Sequence, residues 1–424
     1  MSPERPKVTV VGRRLERGDH DVRDFLTRIA QPYEFVEHGT ERADGLAAEH
    51  GLASDQLPVV IDGETVHRRA TSSMLAEAWR MSSPPSRSHY DLAIIGAGPA
   101  GLAAAVYTAS DGLSTLLVES DVPGGQASHT SLIENFFGFP DGIGGAELAR
   151  RAGRQAERFG AELVVKRGVT GSVRRGSAPP TLQLVGGHEV SADVVLATNG
   201  MDWRRLDVAG VEDLLGRGVY YGAGRSEAVR CGGDDVIVVG AGNSAGQAVA
   251  NLTAAGARVT MVVRGERLAR SMSAYLIGRI EANPLVEVRL GSQVGELHEV
   301  DGRLGAVTIS DAGGKSEQRP AQALFLCLGG KPRTGWAAGT GVRTDEGGYV
   351  LTGPDLLEHG RRPDRWPLAR DPLPLETTVP GVFAAGDVRS GSTKRVAGAV
   401  GEGAMAAALV HLRLAELAEG RSTA

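Results

Sequence analysis

Three glycines and one acid in a single stretch of this chain have the spacing needed to bind a dinucleotide. The stretch YDLAIIGAGPAGLAAAVYTASDGLSTLLVES places Gly96, Gly98 and Gly101 in a G-x-G-x-x-G pattern. The first glycine allows a tight turn, the second lets the backbone approach a pyrophosphate, and the third lets helix and strand pack closely. Glu119 follows at the roughly 20-residue spacing expected of an acid that binds an adenosine ribose.

The elements around these glycines must hold them in position. We predict a buried parallel strand over Asp91–Ile95, a helix from Pro99 to about Ser110 and a second strand over Thr115–Val118. The start of that helix presents free N–H groups and a positive dipole end to bound phosphates. The flanking elements therefore strengthen the interpretation of a motif that would be weak alone.

A second unit of the same kind follows later in the chain. Asp235–Ala250 reads DVIVVGAGNSAGQAVA, which predicts a strand, a turn at Gly240 and Gly242, and a helix that begins near Asn243 and Ser244. This unit predicts a second dinucleotide site.

The next strand, Arg258–Val263, ends at a cation rather than an acid. Arg264, with Arg267 or Arg270, suits the 2′-phosphate of NADPH, whereas an acid at this strand end would favour NADH. Glu266 lies two residues further on, and NADH is the alternative donor. The alternative interpretation of Arg264 is a solvated surface charge. We expect NADPH.

Composition and charge exclude several classes of function. The 424 residues are 42% hydrophobic and 23% charged, which is typical of a soluble protein of two to four domains. A net charge of −5 without a long basic run argues against a nucleic-acid partner. No signal core and no apolar run of about 18 residues is visible, so we expect a cytoplasmic protein without a membrane partner. Cys231 and Cys327 are the only cysteines and have no metal-site spacing.

The first 81 residues show the element order βαβαββα. The predicted strands are Lys7–Gly12, Tyr33–His38, Leu57–Ile61 and Glu64–Arg69, and the predicted helices are Val22–Ala30, Arg42–Gly51 and Thr71–Met81. This order resembles the thioredoxin or glutaredoxin fold, and Leu57-Pro58 resembles its cis-proline. The redox motif would fall at Glu16–Asp19, before the first helix, where no cysteine stands. We therefore expect this domain to dock, dimerise or bind a ligand, with residues 82–88 (SSPPSRS) as a linker.

Further elements complete the predicted sheets. Gly124-Gly125-Gln126 and Ile133–Pro140 indicate loops, and residues 353–378 indicate an irregular insertion or a hairpin. We also predict helices over Gly145–Phe159 and Ala397–Leu414, and strands over Ala192–Gly200, Ala323–Gly330 and Gly381–Val388.

Two dinucleotide units, the second nested between parts of the first, resemble the low-molecular-weight thioredoxin reductase family of flavoproteins. The resemblance covers roughly Tyr90–Leu414. It implies an α/β fold of two Rossmann-like three-layer domains after the small thioredoxin-like domain. FAD would bind to residues 89–205 and 333–424, and NAD(P) to residues 206–332. It also implies a homodimer.

The resemblance assigns cofactor residues one by one. For FAD they are Gly96, Gly98, Pro99, Ala100, Gly101, Glu119, Gly125, Gln126, Asn135, Thr198, Gly200, Gly386, Asp387, Arg395 and Val396. For NADPH or NADH they are Gly240, Gly242, Asn243, Ser244 and Arg264. The family has two arginines at this strand end, but Gly265 follows Arg264 here.

The largest departure from the family lies at its redox C-x-x-C. Gly222 and Arg225 occupy the two cysteine positions, so no disulfide can form there. The missing side chains at Gly222 and Gly224 could leave room for an acceptor beside the flavin. Tyr220, Tyr221, Arg225 and Glu227 would line that space, with ordinary core packing as the alternative for the two tyrosines.

The leading hypothesis is therefore an FAD-dependent oxidoreductase. Hydride would pass from NAD(P)H to the flavin, and electrons would leave to a small-molecule or protein acceptor that is not a disulfide. Ferredoxin- or flavodoxin-NADP reductases are a variant of this hypothesis, for which Lys394-Arg395 is suggestive. The alternatives are an FAD oxidase that uses oxygen and a non-catalytic flavin-bound sensor or scaffold.

Overall fold

A computed structural model describes residues 7–14, 16–173, 179–222, 228, 231–268, 272–364 and 366–422. The chain divides into two compact units, each assembled from three segments. The first unit contains Met1–Leu75, His129–Ile133 and Trp203–Gly329, and the second contains Ala76–Ser128, Glu134–Asp202 and Gly330–Ala424. The Gly96–Gly101 motif belongs to the second unit, and the Gly240–Gly246 motif belongs to the first.

The second unit is built on a seven-stranded sheet. Six strands lie in the order Glu162–Val164, Thr115–Val118, His89–Ile95, Glu189–Ala197, Thr181–Leu184 and Val169–Val173, and Val382–Ala384 pairs with Glu189–Ala197. The strands that surround His89–Ile95 are parallel, as the uninterrupted apolar sequence predicts. The helices are Pro99–Ser110, Gly145–Arg158 and Val396–Ser422. A separate two-stranded sheet contains Met201–Trp203 and Gly330–Pro332.

The core of the second unit depends on close helix packing. Leu92, Leu117 and Phe383 are fully buried in one cluster. The same cluster contains alanines of the helices Pro99–Ser110 and Val396–Ser422. A Cβ added at Gly403 would lie 2.2 Å from the carbonyl oxygen of Ala100, so the two helices touch through backbone. The alanine-rich sequences therefore serve packing as well as helix propensity.

The first unit contains a parallel sheet and an antiparallel sheet. The parallel strands lie in the order Val219–Tyr221, Ala323–Leu326, Asp235–Val239, Arg258–Val262 and Val286–Arg289. The antiparallel strands are Ser292–Val300, Arg303–Asp311 and Ser316–Pro320, and the helices are Asn243–Ala254 and Ala274–Glu281. The two Rossmann-like sheets confirm the predicted α/β fold.

The N-terminal residues form a four-stranded sheet within the first unit. Its strands lie in the order Tyr33–Glu37, Val8–Gly12, Val59–Asp62 and Thr65–His67. The first two strands are parallel and the other pairs are antiparallel. The helices are Arg17–Arg28, Glu41–His50 and Ser72–Ala78. The predicted element order is confirmed, and the Leu57–Pro58 peptide bond is cis.

The first helix begins earlier than predicted. It starts at Arg17 rather than Val22, so Glu16 is its N-cap and Asp19 lies in its first turn. The apolar pattern starts only at Val22 because the first turn is held by polar contacts. The backbone N–H of Arg13 donates to Asp19 Oδ1 over 2.6 Å, and this carboxylate is almost fully buried.

Several other predicted boundaries also differ. The helix predicted over Thr71–Met81 spans Ser72–Ala78, and the strands predicted over Ala323–Gly330 and Gly381–Val388 end at Leu326 and Ala384. The last helix continues to Ser422 rather than Leu414, and the strand predicted to reach Gly200 ends at Ala197. Residues 353–364 and 366–378 contain a short 3-10 turn and isolated bridges but no longer helix or strand, which fits the predicted insertion. The other 3-10 turns are Ser54–Gln56, Gly125–His129, Gly335–Ala337 and Gly386–Val388. In the described part of the chain, no helix is both long and apolar enough to cross a bilayer.

Two glycines of the last helix test its packing. We expect Gly403→Ala to lower the apparent free energy of unfolding by about 1–3 kcal/mol, because its Cβ would overlap the backbone at Ala100. Gly401→Ala is the matched control, since a Cβ there meets nothing within 4 Å. The control should gain about 0.5–1 kcal/mol from helix propensity. Urea denaturation followed by circular dichroism measures both, and equal effects would contradict the packing.

Candidate functional site

The first glycine motif forms a tight turn with one open position. Gly96 has φ of 106°, and a Cβ there would lie 2.7 Å from the carbonyl oxygen of Thr198. A Cβ at Gly101 would lie 2.0 Å from the carbonyl oxygen of Gly96. Gly98 differs, because a Cβ there meets no protein atom closer than 4.0 Å. Gly98 is also the N-cap of the helix that starts at Pro99, so bare backbone and N–H groups face open space.

Glu119 is held at the end of the next strand. Its side chain is buried, and its two carboxylate oxygens accept from the backbone N–H groups of Ala97 over 2.7 Å and of Asp121 over 2.8 Å. The carboxylate therefore has a fixed position beside the glycine turn, where the sequence predicts a ribose.

The segment after Gly124 packs on the same turn. The Gly124 N–H donates to the carbonyl of Ala97 over 2.7 Å, and a Cβ at Gly125 would lie 3.5 Å from Gly98 Cα. Gln126 Nε2 donates to the carbonyl of Met201 over 2.7 Å, which fixes its side chain. Asn135 is exposed on the following loop.

The predicted FAD residues Thr198 and Gly200 follow the returning strand. Thr198 Oγ1 donates to the carbonyl of Gly96 over 2.7 Å, so its hydroxyl supports the glycine turn. Gly200 has φ of 62° and turns the chain after that strand.

The Gly386–Val396 segment lies against the first glycine helix. A Cβ at Gly386 would lie 3.0 Å from Ala100 Cβ, and the Gly386 N–H donates to Glu402 over 2.6 Å. Burial raises the pKa of Asp387 above its ordinary value. Arg395 is exposed, and Val396 is the first helical residue.

Lys394 is less available than a free surface cation would be. Its Nζ donates to the Asp387 carbonyl over 2.7 Å and lies 4.1 Å from the centre of the Tyr349 ring. The ammonium is therefore bound by groups of the second unit, to which Lys394 itself belongs.

The second glycine motif repeats this design. A Cβ at Gly240 would lie 2.4 Å from the Cys327 carbonyl oxygen, and one at Gly246 would lie 3.1 Å from Leu276 Cδ1. Gly242 again leaves open space, with nothing within 4 Å of its Cβ position. The turn therefore has two packed glycines and one accessible backbone position.

The polar residues beside this turn differ in their contacts. Asn243 accepts from the Ser273 N–H over 2.8 Å, so its side-chain carbonyl is used in the fold. Ser244, Arg264 and Arg267 are exposed. Arg264 forms no ion pair with the described residues, and Arg270 lies outside them.

The two tyrosines directly before Gly222 take part in packing. The Tyr220 ring stacks on Phe325 with centroids 5.3 Å apart. Tyr221 Oη accepts from the Leu206 N–H over 3.1 Å, and the Arg205 guanidinium lies 4.9 Å from its ring centre. These contacts favour the core alternative for both tyrosines over a lining role.

Gly222 is bordered by two residues that the sequence analysis missed. The atoms nearest to a Cβ at Gly222 are Trp203 Cζ2 at 3.9 Å and His129 Cβ at 4.0 Å. The two rings meet edge to face, with centroids 6.2 Å apart. His129 and Trp203 each follow a segment predicted to bind FAD, and this position in the sequence could have pointed to them. Gly224, Arg225 and Glu227 lie outside the described residues.

Neither cysteine has the environment of a redox thiol. Both are buried and unbridged. Burial raises the pKa of Cys327 to about 12, which disfavours the thiolate that disulfide exchange requires.

Comparison with known proteins identifies the family of this arrangement. A protein-family model described as pyridine nucleotide-disulphide oxidoreductase matches residues 90–403. The chain belongs to this family. It is 35% identical over 337 residues to a thioredoxin reductase of Bacillus subtilis, with 79% of this chain and 98% of that protein covered.

Solved structures agree with this assignment. A thioredoxin reductase of Lactococcus lactis in its FR conformation superposes with a TM-score of 0.67 at 28% identity, over 77% of this chain and 99% of that chain. The thioredoxin reductase of T. acidophilum gives 0.67 at 26% identity, over 78% and 100%. A flavin and a pyridine nucleotide are the cofactors of the family, and the open positions at Gly98 and Gly242 fit their phosphates.

Substitution of Gly98 or Gly242 should affect only one of the two cofactor sites. We expect Gly98→Ala to keep the fold but weaken FAD binding roughly tenfold or more, because its Cβ would meet the ligand rather than protein. Gly242→Ala should retain FAD and weaken the pyridine nucleotide instead. Bound flavin per protein and nucleotide titration measure the two effects, and each variant controls the other. Loss of both ligands in both variants would contradict separate cradles.

Proposed function

We propose that this protein is an FAD-dependent oxidoreductase that oxidises NADPH and passes electrons to an acceptor other than a disulfide. The observation that supports the proposal is the glycine at position 222, because the family resemblance puts the first redox cysteine at this position. With Arg225 at the second position, the catalytic motif cannot form a disulfide.

The remaining cysteines support the same conclusion. The whole sequence holds only Cys231 and Cys327, and both thiols are buried. A thiol that exchanges with a substrate must be reachable and ionised, and the raised pKa of Cys327 opposes this.

The proposed FAD site consists of residues already fixed by the fold. Gly98 and the start of the helix at Pro99 would face the pyrophosphate, and Glu119 would accept from the ribose. Asp387 would lie along the ribityl chain. A flavin bound there supplies two-electron chemistry, since it accepts hydride from a reduced nicotinamide.

We propose NADPH as the preferred donor. Arg264 is an exposed cation without an ion pair among the described residues, directly after the strand where a 2′-phosphate is recognised.

Two features of the wider protein remain proposals. The N-terminal sheet order and its parallel first pair support a thioredoxin-like domain that has lost its cysteines. A cytoplasmic homodimer is expected from the family resemblance alone.

Rapid mixing tests the proposal directly. NADPH should bleach the flavin under anaerobic conditions, and the reduced protein should then be mixed separately with oxygen, a quinone, a ferredoxin and a small disulfide. We expect reoxidation by one of the first three and none by the disulfide. Efficient disulfide reduction would overturn the proposal, and absence of bleaching by NADPH and NADH would favour an oxidase or a sensor.

Variants of two side chains near the second site test whether the protein prefers NADPH or NADH. We expect Arg264→Ala to raise the Kd for NADPH roughly tenfold and to leave NADH nearly unchanged, because only NADPH carries the 2′-phosphate. Glu266→Gln is the matched control and should leave NADPH binding unchanged. Tighter NADH binding in the native protein, weakened by Glu266→Gln, would contradict the assignment.

A further inference from the structure

The N-terminal subdomain, residues 7–75, contacts the rest of the first unit through one face of its first helix. Glu16 and Arg217 form an ion pair of 3.4 Å. One turn further along, the His20 ring lies 5.4 Å from the Tyr220 ring. A Cβ at Gly216 would lie 3.3 Å from His20 Cβ, so only the absence of that side chain admits His20 so closely.

The start of this contacting helix face is where the resemblance to the thioredoxin fold puts the redox motif. Glu16 is the N-cap, and a Cβ at Gly18 would lie 3.9 Å from Pro58 Cδ, beside the cis peptide bond. The contacts therefore come from the face that would carry the dithiol in a thioredoxin-like domain.

The family resemblance puts the redox dithiol of the nucleotide domain beside the opposing surface. Gly216 and Arg217 form the turn before the strand Val219–Tyr221, and Gly222 follows that strand. A second polar contact, between Asp24 Oδ1 and His129 Nδ1 at 3.8 Å, lies beside Gly222, since His129 Cβ lies 4.0 Å from the Gly222 Cβ position.

We infer that the N-terminal subdomain docks in cis, through the Glu16–Asp24 face of its first helix, on the Gly216–Gly222 surface of the nucleotide domain. It takes the place that a separate thioredoxin-type protein would need in order to reach that surface. Two faces without cysteines among their described residues would thus form an intramolecular contact rather than a redox complex between separate proteins.

Shape contributes more to this contact than charge. Exposed ion pairs such as Glu16–Arg217 contribute only about 0–1 kcal/mol each. The fit of His20 against Gly216 and Tyr220 is specific in geometry. Covalent connection also raises the effective concentration of the subdomain, so modest contacts suffice.

A disulfide trap in the full chain tests this docking. In His20→Cys/Gly216→Cys, the two Cβ atoms would be near bonding separation, so oxidised glutathione should close an internal disulfide. His20→Cys/Gly210→Cys is the matched control, because Gly210 also has positive φ, 82° against 77°, but has no atom within 4 Å of its Cβ position. We expect roughly tenfold faster closure in the first pair, read by intact mass as the protein that has lost two hydrogens and carries no glutathione. Equal rates in the two pairs would overturn the docking.

A second pair of variants covers the case in which the cysteine pair fails to fold. Asn tolerates positive φ, so Gly216→Asn should preserve the turn while its side chain displaces His20. Small-angle scattering of the full chain should show a larger radius of gyration for Gly216→Asn than for the native protein. Gly210→Asn should have the native radius. An unchanged radius in Gly216→Asn would overturn the inference, whatever acceptor the flavin uses.

Discussion

The close approach of backbone to backbone at the glycine turns is the constraint on which the rest of the structure depends. Gly101 lies against the carbonyl of Gly96, and Gly403 brings the last helix onto Ala100. Side chains at these positions would push the helix away from the sheet. Because the helix start is fixed in this way, Gly98 is left as bare backbone facing open space, which is what a pyrophosphate requires.

The same design at Gly240 and Gly242 serves a different purpose in the first unit. There Gly240 lies against the Cys327 carbonyl, and burial of the Cys327 thiol raises its pKa. Two residues before Gly222, the Tyr220 ring stacks on Phe325. The framework of the family is thus present in a chain whose two cysteines are both buried and unbridged.

Periodic and glycine-bearing segments could be predicted from the sequence because their local chemistry determines them. The helix over Pro99–Ser110 and the strand over Thr115–Val118 match their predicted bounds. The start of the first helix was missed because Asp19 is held by a backbone N–H that no periodicity reveals. His129 and Trp203 were missed for a related reason, since distant segments bring them to Gly222. Thr198 could be placed near the turn, but its hydrogen bond to Gly96 could not be foreseen.

Electron counting tests the central claim most directly, because the claim is that the flavin is the sole redox centre. An anaerobic dithionite titration of the FAD-loaded protein, followed by flavin absorbance and free thiols, measures the electrons taken up. The account predicts about two electrons per flavin and no new thiols. Uptake of about four electrons, with two thiols released, would reveal a reducible disulfide and contradict it.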